Sequence, residues 1–284
     1  MKMNVRASGL VALALAAACS SSTPPPPPPP PPPAPTGGET TEATPPTPPP
    51  PPAMAKVRVI HAAPIAEPNV DVYADGAATP AIEGLAFKAV RGYMDLPVGE
   101  HTVALRPAGN HDGDPLVSAT TPSLEQDHFY TVIAHGVPGG QPALAITASG
   151  DDTTEPPEGQ ARVRFFHALV GVNAVDVCVA GATARAAATP VFANVGYGAW
   201  GDYANVPGGN AVNLQVRAQN ARPCTGAVIG TVSVTPPAGA RATAVAVGNT
   251  TATPAVAPEL LVCTDTAESS CSPTAITLAR RGRR

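Results

Sequence analysis

The chain has 284 residues, with 37 prolines and 26 glycines, 13% charged and 4% aromatic residues, and a formal net charge of −4. That balance argues against a nucleic-acid binder, which needs a clustered basic surface. No run approaches the ~18 to 20 apolar residues of a spanning helix. Proline plus glycine, 63 of 284 residues, is close to low-complexity usage, but 18 of the 37 prolines fall within residues 20–56.

The N-terminus reads as an address. Lys2 and Arg6 form a positive head, and residues 10–18 (LVALALAAA) form an apolar run too short to span a bilayer. Together they predict a secretory signal over residues 1–18. Cys19 follows three alanines and resembles the lipobox of bacterial lipoproteins, where lipid is attached to a cysteine that becomes the mature N-terminus. Ala16 stands where that motif usually has Leu, and Leu15 lies one residue earlier. Ordinary cleavage after Ala18 is the alternative. Five cysteines are odd for an exported chain, and lipid on Cys19 leaves four: Cys178, Cys224, Cys263 and Cys271. Four allow three connectivities, of which Cys178–Cys224 and Cys263–Cys271 are the pairs expected in an oxidising compartment. Ser20 resembles the outer-membrane sorting preference of enteric lipoproteins.

Residues 19–56 are expected to be the lipidated cysteine and a disordered stalk. Residues 24–33 are ten consecutive prolines and residues 48–52 five more. Such runs favour polyproline II at ~3.1 Å per residue, a spacer reaching up to ~110 Å. A PxxP site for a partner domain is formally present, but a spacer is the expected role.

The remainder reads as one module written twice. Residues 57–62 (VRVIHA) are echoed by 163–168 (VRFFHA), 70–76 (VDVYADG) by 175–181 (VDVCVAG), and 96–99 (LPVG) by 206–209 (VPGG). Residues 102–105 correspond to 212–216, and 130–134 align with 243–247. The segments assigned are a first repeat over 57–150, a linker over 151–160, a second repeat over 161–265 and a C-terminal tail over 266–284. Strands are predicted in the first copy at 57–61, 70–74, 87–94, 101–106, 116–120, 128–135 and 142–147, from short period-two alternation broken by Pro, Gly, Asn and Asp. The fold class expected is all-β: two tandem antiparallel β-sandwiches, Ig-like, after the disordered tether.

The strand ending in His-Ala, V-D-V-Y-A-D-G, and L-P-V-G-E-H-T-V at 96–103 resemble the bacterial domain-of-unknown-function family 4397, whose domains often stand in tandem on exported proteins. The second copy departs from it at Cys178, at Ala180 and in an aromatic insertion at 197–203. The same pieces are similar to PEGA domains. Neither resemblance implies an activity or a ligand.

Candidate sites are few. His61 and His167 share strand faces with Val57, Val59 and with Val163, Phe165, and are expected to donate to neighbouring carbonyls. Asp71-x-Tyr73-x-Asp75-Gly76 lacks the twelfth-position carboxylate of a calcium loop, where Ile82 stands. The acidic loop 110–114 is at most a weak cation attractor. Tyr197, Trp200 and Tyr203 form a possible ligand surface on which a sugar ring would stack. Residues 280–284 (RRGRR) form a short basic tail. No nucleophile elbow, zinc-spaced set or phosphate loop is present in the sequence. The expectation is therefore a non-catalytic, exported lipoprotein of the bacterial cell envelope, at the outer membrane, with no cofactor or metal. Its partners would be the membrane, through the lipid anchor, and an envelope protein or polysaccharide. The alternative is a carbohydrate-binding or adhesion protein using Tyr197, Trp200 and Tyr203.

Overall fold

The computed structural model describes residues 26–30, 51–65, 69–181, 187–253, 255–266 and 268–279. It divides at Pro49/Pro50. In the N-terminal unit, residues 26–30 are exposed and lie in no strand or helix. The signal segment, Cys19 and the tail at 280–284 lie outside the described residues.

In residues 50–284 the first repeat runs β1 (Met54–His61), β2 (Asn69–Ala74), β3 (Ile82–Ala86), β4 (Val90–Pro97), β5 (Thr102–Pro107), β6 (Val117–Thr120), β7 (Phe129–His135) and β8 (Ala145–Gly150). The second runs β9 (Gln160–His167), β10 (Val175–Val179), β11 (Thr189–Val195), β12 (Trp200–Pro207), β13 (Val212–Ala218), β14 (Val228–Val234), β15 (Arg241–Asn249), β16 (Val256–Thr264), β17 (Cys271–Ala275) and β18 (Thr277–Leu278). The described residues contain no helix.

Each repeat folds into two facing sheets. Their strand orders are β4-β1-β7-β8 over β3-β2-β5-β6, and β12-β9-β15-β16-β17 over β11-β10-β13-β14-β18. Pairing is antiparallel except between β1 and β7 and between β9 and β15, which run parallel at the heart of each repeat. Val57, Val59, Val70, Val72, Leu105 and Val132 fill the first sandwich. Phe165, Val177, Phe192, Val216 and Leu260 fill the second.

A third core joins the repeats. Ile60, Ala62 and Ile133 from the first pack with Phe166, Val245, Val247 and Leu261 from the second. These residues have the opposite strand parity to the sandwich-filling ones, so β1, β7, β9 and β15 are covered on both faces. That explains why eight of the nine residues of β15, Ala242 to Asn249, read as an unbroken buried run, as strands covered on both sides do.

Three boundaries differ from those expected. β1 begins at Met54, inside the segment assigned to the stalk. The strand predicted at 87–94 begins in a turn: β3, which lies outside the predicted strands, ends at Ala86, and the chain turns through Lys88 at φ 70 before β4 starts at Val90. No Gly, Pro or Asn marks that turn. The second sandwich continues to Leu278, because β17 pairs with β16 and β18 with β14; both strands lie within the expected tail.

Candidate functional site

Two places in the fold concentrate unusual chemistry: the seam between the repeats, and a cavity inside the second sandwich. At the seam, Arg58 sits mid-strand in β1 with its side chain opposite Val57 and Val59, and it is fully buried. Its Nε donates to Thr131 Oγ1 (2.8 Å), one terminal nitrogen to the Thr264 carbonyl (3.0 Å) and the other to Thr243 Oγ1 (2.7 Å). The last nitrogen also pairs with Asp265 at 2.6 Å. Arg164 does the same in reverse from β9. Its Nε donates to Thr243 Oγ1 (3.0 Å), its terminal nitrogens to the Gly150 carbonyl (3.0 Å) and to Asp151. Each repeat thus supplies an arginine to the other's carboxylate.

Two arginines and two aspartates sum to zero charge, so the seam holds full charges without a net burden. Burial works against charge on Arg58, but Asp265, Tyr93 and Asp151 outweigh it and hold its pKa above the usual value. Burial dominates at Asp265 and raises its pKa despite Arg58. The guanidiniums also lie over rings: Arg58 over Tyr93 at 5.1 Å, Arg164 over Tyr203 at 5.2 Å and over Trp200 at 4.1 Å. The Tyr203 hydroxyl is pushed up to about 12 by burial.

Trp200 and Tyr203 of the expected ligand surface lie beside these arginines. Tyr197, Trp200 and Tyr203 are half-buried and directed at the seam. Trp200 packs on Phe166 at 4.6 Å, and Tyr197 lies against His135 (5.5 Å) and His167 (5.6 Å). The Tyr203 hydroxyl accepts the Asp152 N–H at 3.1 Å. Trp200 and Tyr203 are thus packed in part against guanidinium groups, and Tyr197 against the two histidine rings. His167 fits its expected role: Nε2 donates to the Asn173 carbonyl at 2.9 Å while Nδ1 accepts the Leu169 N–H. His61 is buried with its ring edge-on to Phe87 at 5.9 Å.

The second place is an apolar cavity of about 260 Å³ between the inner faces of the second sandwich. Val163, Phe165, Val212, Val232, Ala244 and Leu260 are among its walls, and Thr235, Ser272 and Thr274 are among its polar lining. Register explains its origin. Val57 lies beside Tyr130 and Val59 beside Val132 in the first repeat; the corresponding Val163 and Phe165 lie beside Ala242 and Ala244. Bulk has moved to one end, where Phe165 stacks on Phe192 at 5.7 Å. Ala244, a wall of the cavity standing where the first repeat has Val132, carries less bulk.

A family model described as Domain of unknown function (DUF4397) matches residues 55–178 and again residues 166–276. The chain belongs to this family. Its two DUF4397 copies show why the recurring residues recur. Asp71 accepts the N–H of Gly84 (2.7 Å) and of Gly109 (2.8 Å), both at positive φ. Asp176 accepts those of Asn194 (2.8 Å) and Cys224 (2.9 Å), also at positive φ. The aspartate of each V-D-V therefore holds two left-handed turns rather than a cation. Asp75 accepts the Thr102 N–H and meets His101 Nδ1 at 2.7 Å, while His101 Nε2 donates to the Pro97 carbonyl at 2.7 Å. In the second DUF4397 copy both partners are gone together: Ala180 and Val212 stand at these strand positions.

The second copy carries the disulfides instead. Cys178 is bonded to Cys224, and Cys263 to Cys271, the pairing expected from spacing. In the acidic loop, His111 is taken up by the Tyr73 hydroxyl at 2.8 Å, and among the described residues no group of three or more His, Cys, Asp or Glu is placed to hold a metal.

No curated protein matches the chain. Among solved structures, it is similar to the crystal structure of CBMbc (family CBM26) from Eubacterium rectale Amy13K in complex with maltoheptaose, at 12% identity and TM-score 0.22, covering 80% of this chain and 98% of that one. A structure titled alpha-glucan binding by a streptococcal virulence factor is similar at 12% identity and TM-score 0.19, covering 57% and 80%. Likenesses at these TM-scores support no inference about a ligand.

Sequence reasoning missed Arg58, Arg164, Thr131, Thr243, Asp151 and Asp265 as one constellation. The available signal was an arginine at the same place in two otherwise apolar strands.

Proposed function

We propose that this tandem DUF4397 chain is a non-catalytic protein of the bacterial cell envelope. Lipid on Cys19 anchors it to the outer membrane, and a proline-rich stalk presents its paired sandwiches for binding or a structural role. The observation that carries this reading is the pair of disulfides, Cys178–Cys224 and Cys263–Cys271. They use four of the five cysteines, belong to an oxidising compartment, and leave Cys19 alone behind an apolar leader. The non-catalytic part is supported by how the buried ionisable groups are used. Asp71, Asp176 and His167 bind backbone groups, His101 binds Asp75 and the Pro97 carbonyl, and the four seam charges bind across the repeats.

Membrane fractionation of Cys19→Ala tests the anchor. The variant is expected in the soluble exported fraction with its signal removed; a variant that stays with the membrane overturns lipidation. The carbohydrate alternative relies on Tyr197, Trp200 and Tyr203, which are half-buried and packed at the seam. A glycan array with the folded protein is expected to be blank, and sugar binding abolished by Trp200→Ala would support that alternative.

A further inference from the structure

The geometry points to a binding site for an aliphatic chain inside the second sandwich. This goes beyond the envelope role and stands apart from it, since the anchor test above does not touch the cavity. The space of about 260 Å³ exceeds the ~150 Å³ of an apolar cavity known to stay dry and take up benzene. No Lys, Arg, Asp, Glu or His lines it, so the occupant is uncharged where it is enclosed. Thr235, Ser272 and Thr274 contribute hydroxyls at exposed or half-exposed positions, which suit a single neutral hydrogen-bonding end.

The void is built, not incidental. β14 pairs with β13, β15 with β16 and β16 with β17, and the Cys263–Cys271 bond ties the last pair. The first repeat follows the same backbone plan but has Val132 where the second has Ala244, a wall of the cavity. Neutral apolar walls with a hydroxyl-bearing rim fit a hydrocarbon chain, either of a free amphiphile or at the end of a lipid acyl tail.

Two probes separate those sources: 1-octanol, and dihexanoyl phosphatidylcholine below its micelle concentration. Methyl NMR on the intact chain is expected to show saturable shifts at Ala244 and Leu260 with 1-octanol, together with a concentration-dependent rise in Tm. Shifts with the phospholipid as well extend the site to acyl tails; shifts with octanol alone assign it to free amphiphiles. Restoring the first repeat's residues in Ala242→Tyr/Ala244→Val is expected to weaken octanol binding at least tenfold. Thr274→Trp, which narrows the rim from a half-exposed position, gives the same readout should the core variant fail to fold. Absence of saturable shifts at Ala244 and Leu260 with either probe overturns the site, as does unweakened binding in a folded variant.

Discussion

Arg58 of the first repeat closes its ion pair on Asp265 of the second, 2.6 Å away and out of contact with water. Arg164 returns the contact to Asp151. The exchange is reciprocal, as in an interface with two-fold symmetry, where residue i meets j and j meets i. Here both halves lie on one chain. The threonines beside them obey the same relation, Thr131 under Arg58 and Thr243 under Arg164. The two repeats are therefore fused into a single hydrogen-bonded body rather than strung on a linker, and Asp151, expected to open that linker, is one of the charges at its centre.

Removing one partner from this network leaves a buried charge uncompensated. Arg58→Met or Asp265→Leu alone is expected to cost about 3–5 kcal/mol, whereas the double variant is expected to recover most of that loss, since an apolar pair of similar volume replaces both charges. Urea unfolding of the two singles and the double forms the cycle. Additive losses would show that the pair is not coupled.

Asp71 is expected to matter for shape more than for binding. Its carboxylate satisfies the backbone of two turns held at positive φ, at Gly84 and Gly109. Asp71→Ala is expected to destabilise the first repeat by about 2–3 kcal/mol, because two charge-assisted bonds are lost at once. Asp71→Asn, which keeps one acceptor, is expected to lose about half as much. Hydrogen exchange at Gly84 and Gly109 reads the effect locally, and unchanged protection in Asp71→Ala would refute the assignment.

The repeat, its strands and its disulfide pairing were legible because turn residues and cysteine spacing act locally. The seam was not, for a physical reason. Strands covered on both faces lose the inside–outside alternation that fixes their register. Sequence alone aligns residues 130–134 with 243–247, but the strand partners place Tyr130 opposite Val57 and Ala242 opposite Val163. The alignment is therefore one residue out, and a one-residue slip exchanges the two faces. Corrected, Thr131 and Thr243 fall into equivalent places, as do Val132 and the cavity-wall residue Ala244. The aromatic insertion at 197–203 was visible as a cluster, but its direction depended on a neighbouring repeat that local patterning does not reveal.

The seam is expected to weaken in acid. Burial lowers the His135 pKa to about 4, and the ring packs on Phe166 across the seam at 5.1 Å. The unfolded chain takes up this proton near 6.5, so below that pH protonation favours unfolding. The contribution is intact above pH 6.5 and falls until the folded pKa is reached, by about 2 kcal/mol at pH 5. His167, also lowered by burial, acts in the same direction. His101 opposes them: hydrogen bonds from its side chain to Asp75 and Pro97 outweigh burial and raise its pKa, so its contribution is present in acid and lost as pH rises through that value. Unfolding free energies at pH 7.5 and 5.0 are expected to differ less in His135→Phe than in the wild type. Equal pH dependence in both would exclude His135 as a source.

The two disulfides are expected to contribute unequally. Cys178 and Cys224 are 46 residues apart, against 8 for Cys263 and Cys271. Chain entropy of the unfolded state then assigns about 4 kcal/mol to the first and about 2.5 kcal/mol to the second. The larger bond also holds β10 to the loop carrying the Cys224 N–H, which Asp176 accepts. Replacing Cys178 and Cys224 by alanine is therefore expected to loosen that loop as well as lower stability. Replacing Cys263 and Cys271 acts on the β16–β17 hairpin beside the cavity. Urea midpoints of the two double variants rank them, and hydrogen exchange separates the regions affected. A larger loss from the eight-residue bridge would show that native packing at the hairpin, where Cys263 belongs to the shared core, outweighs loop entropy.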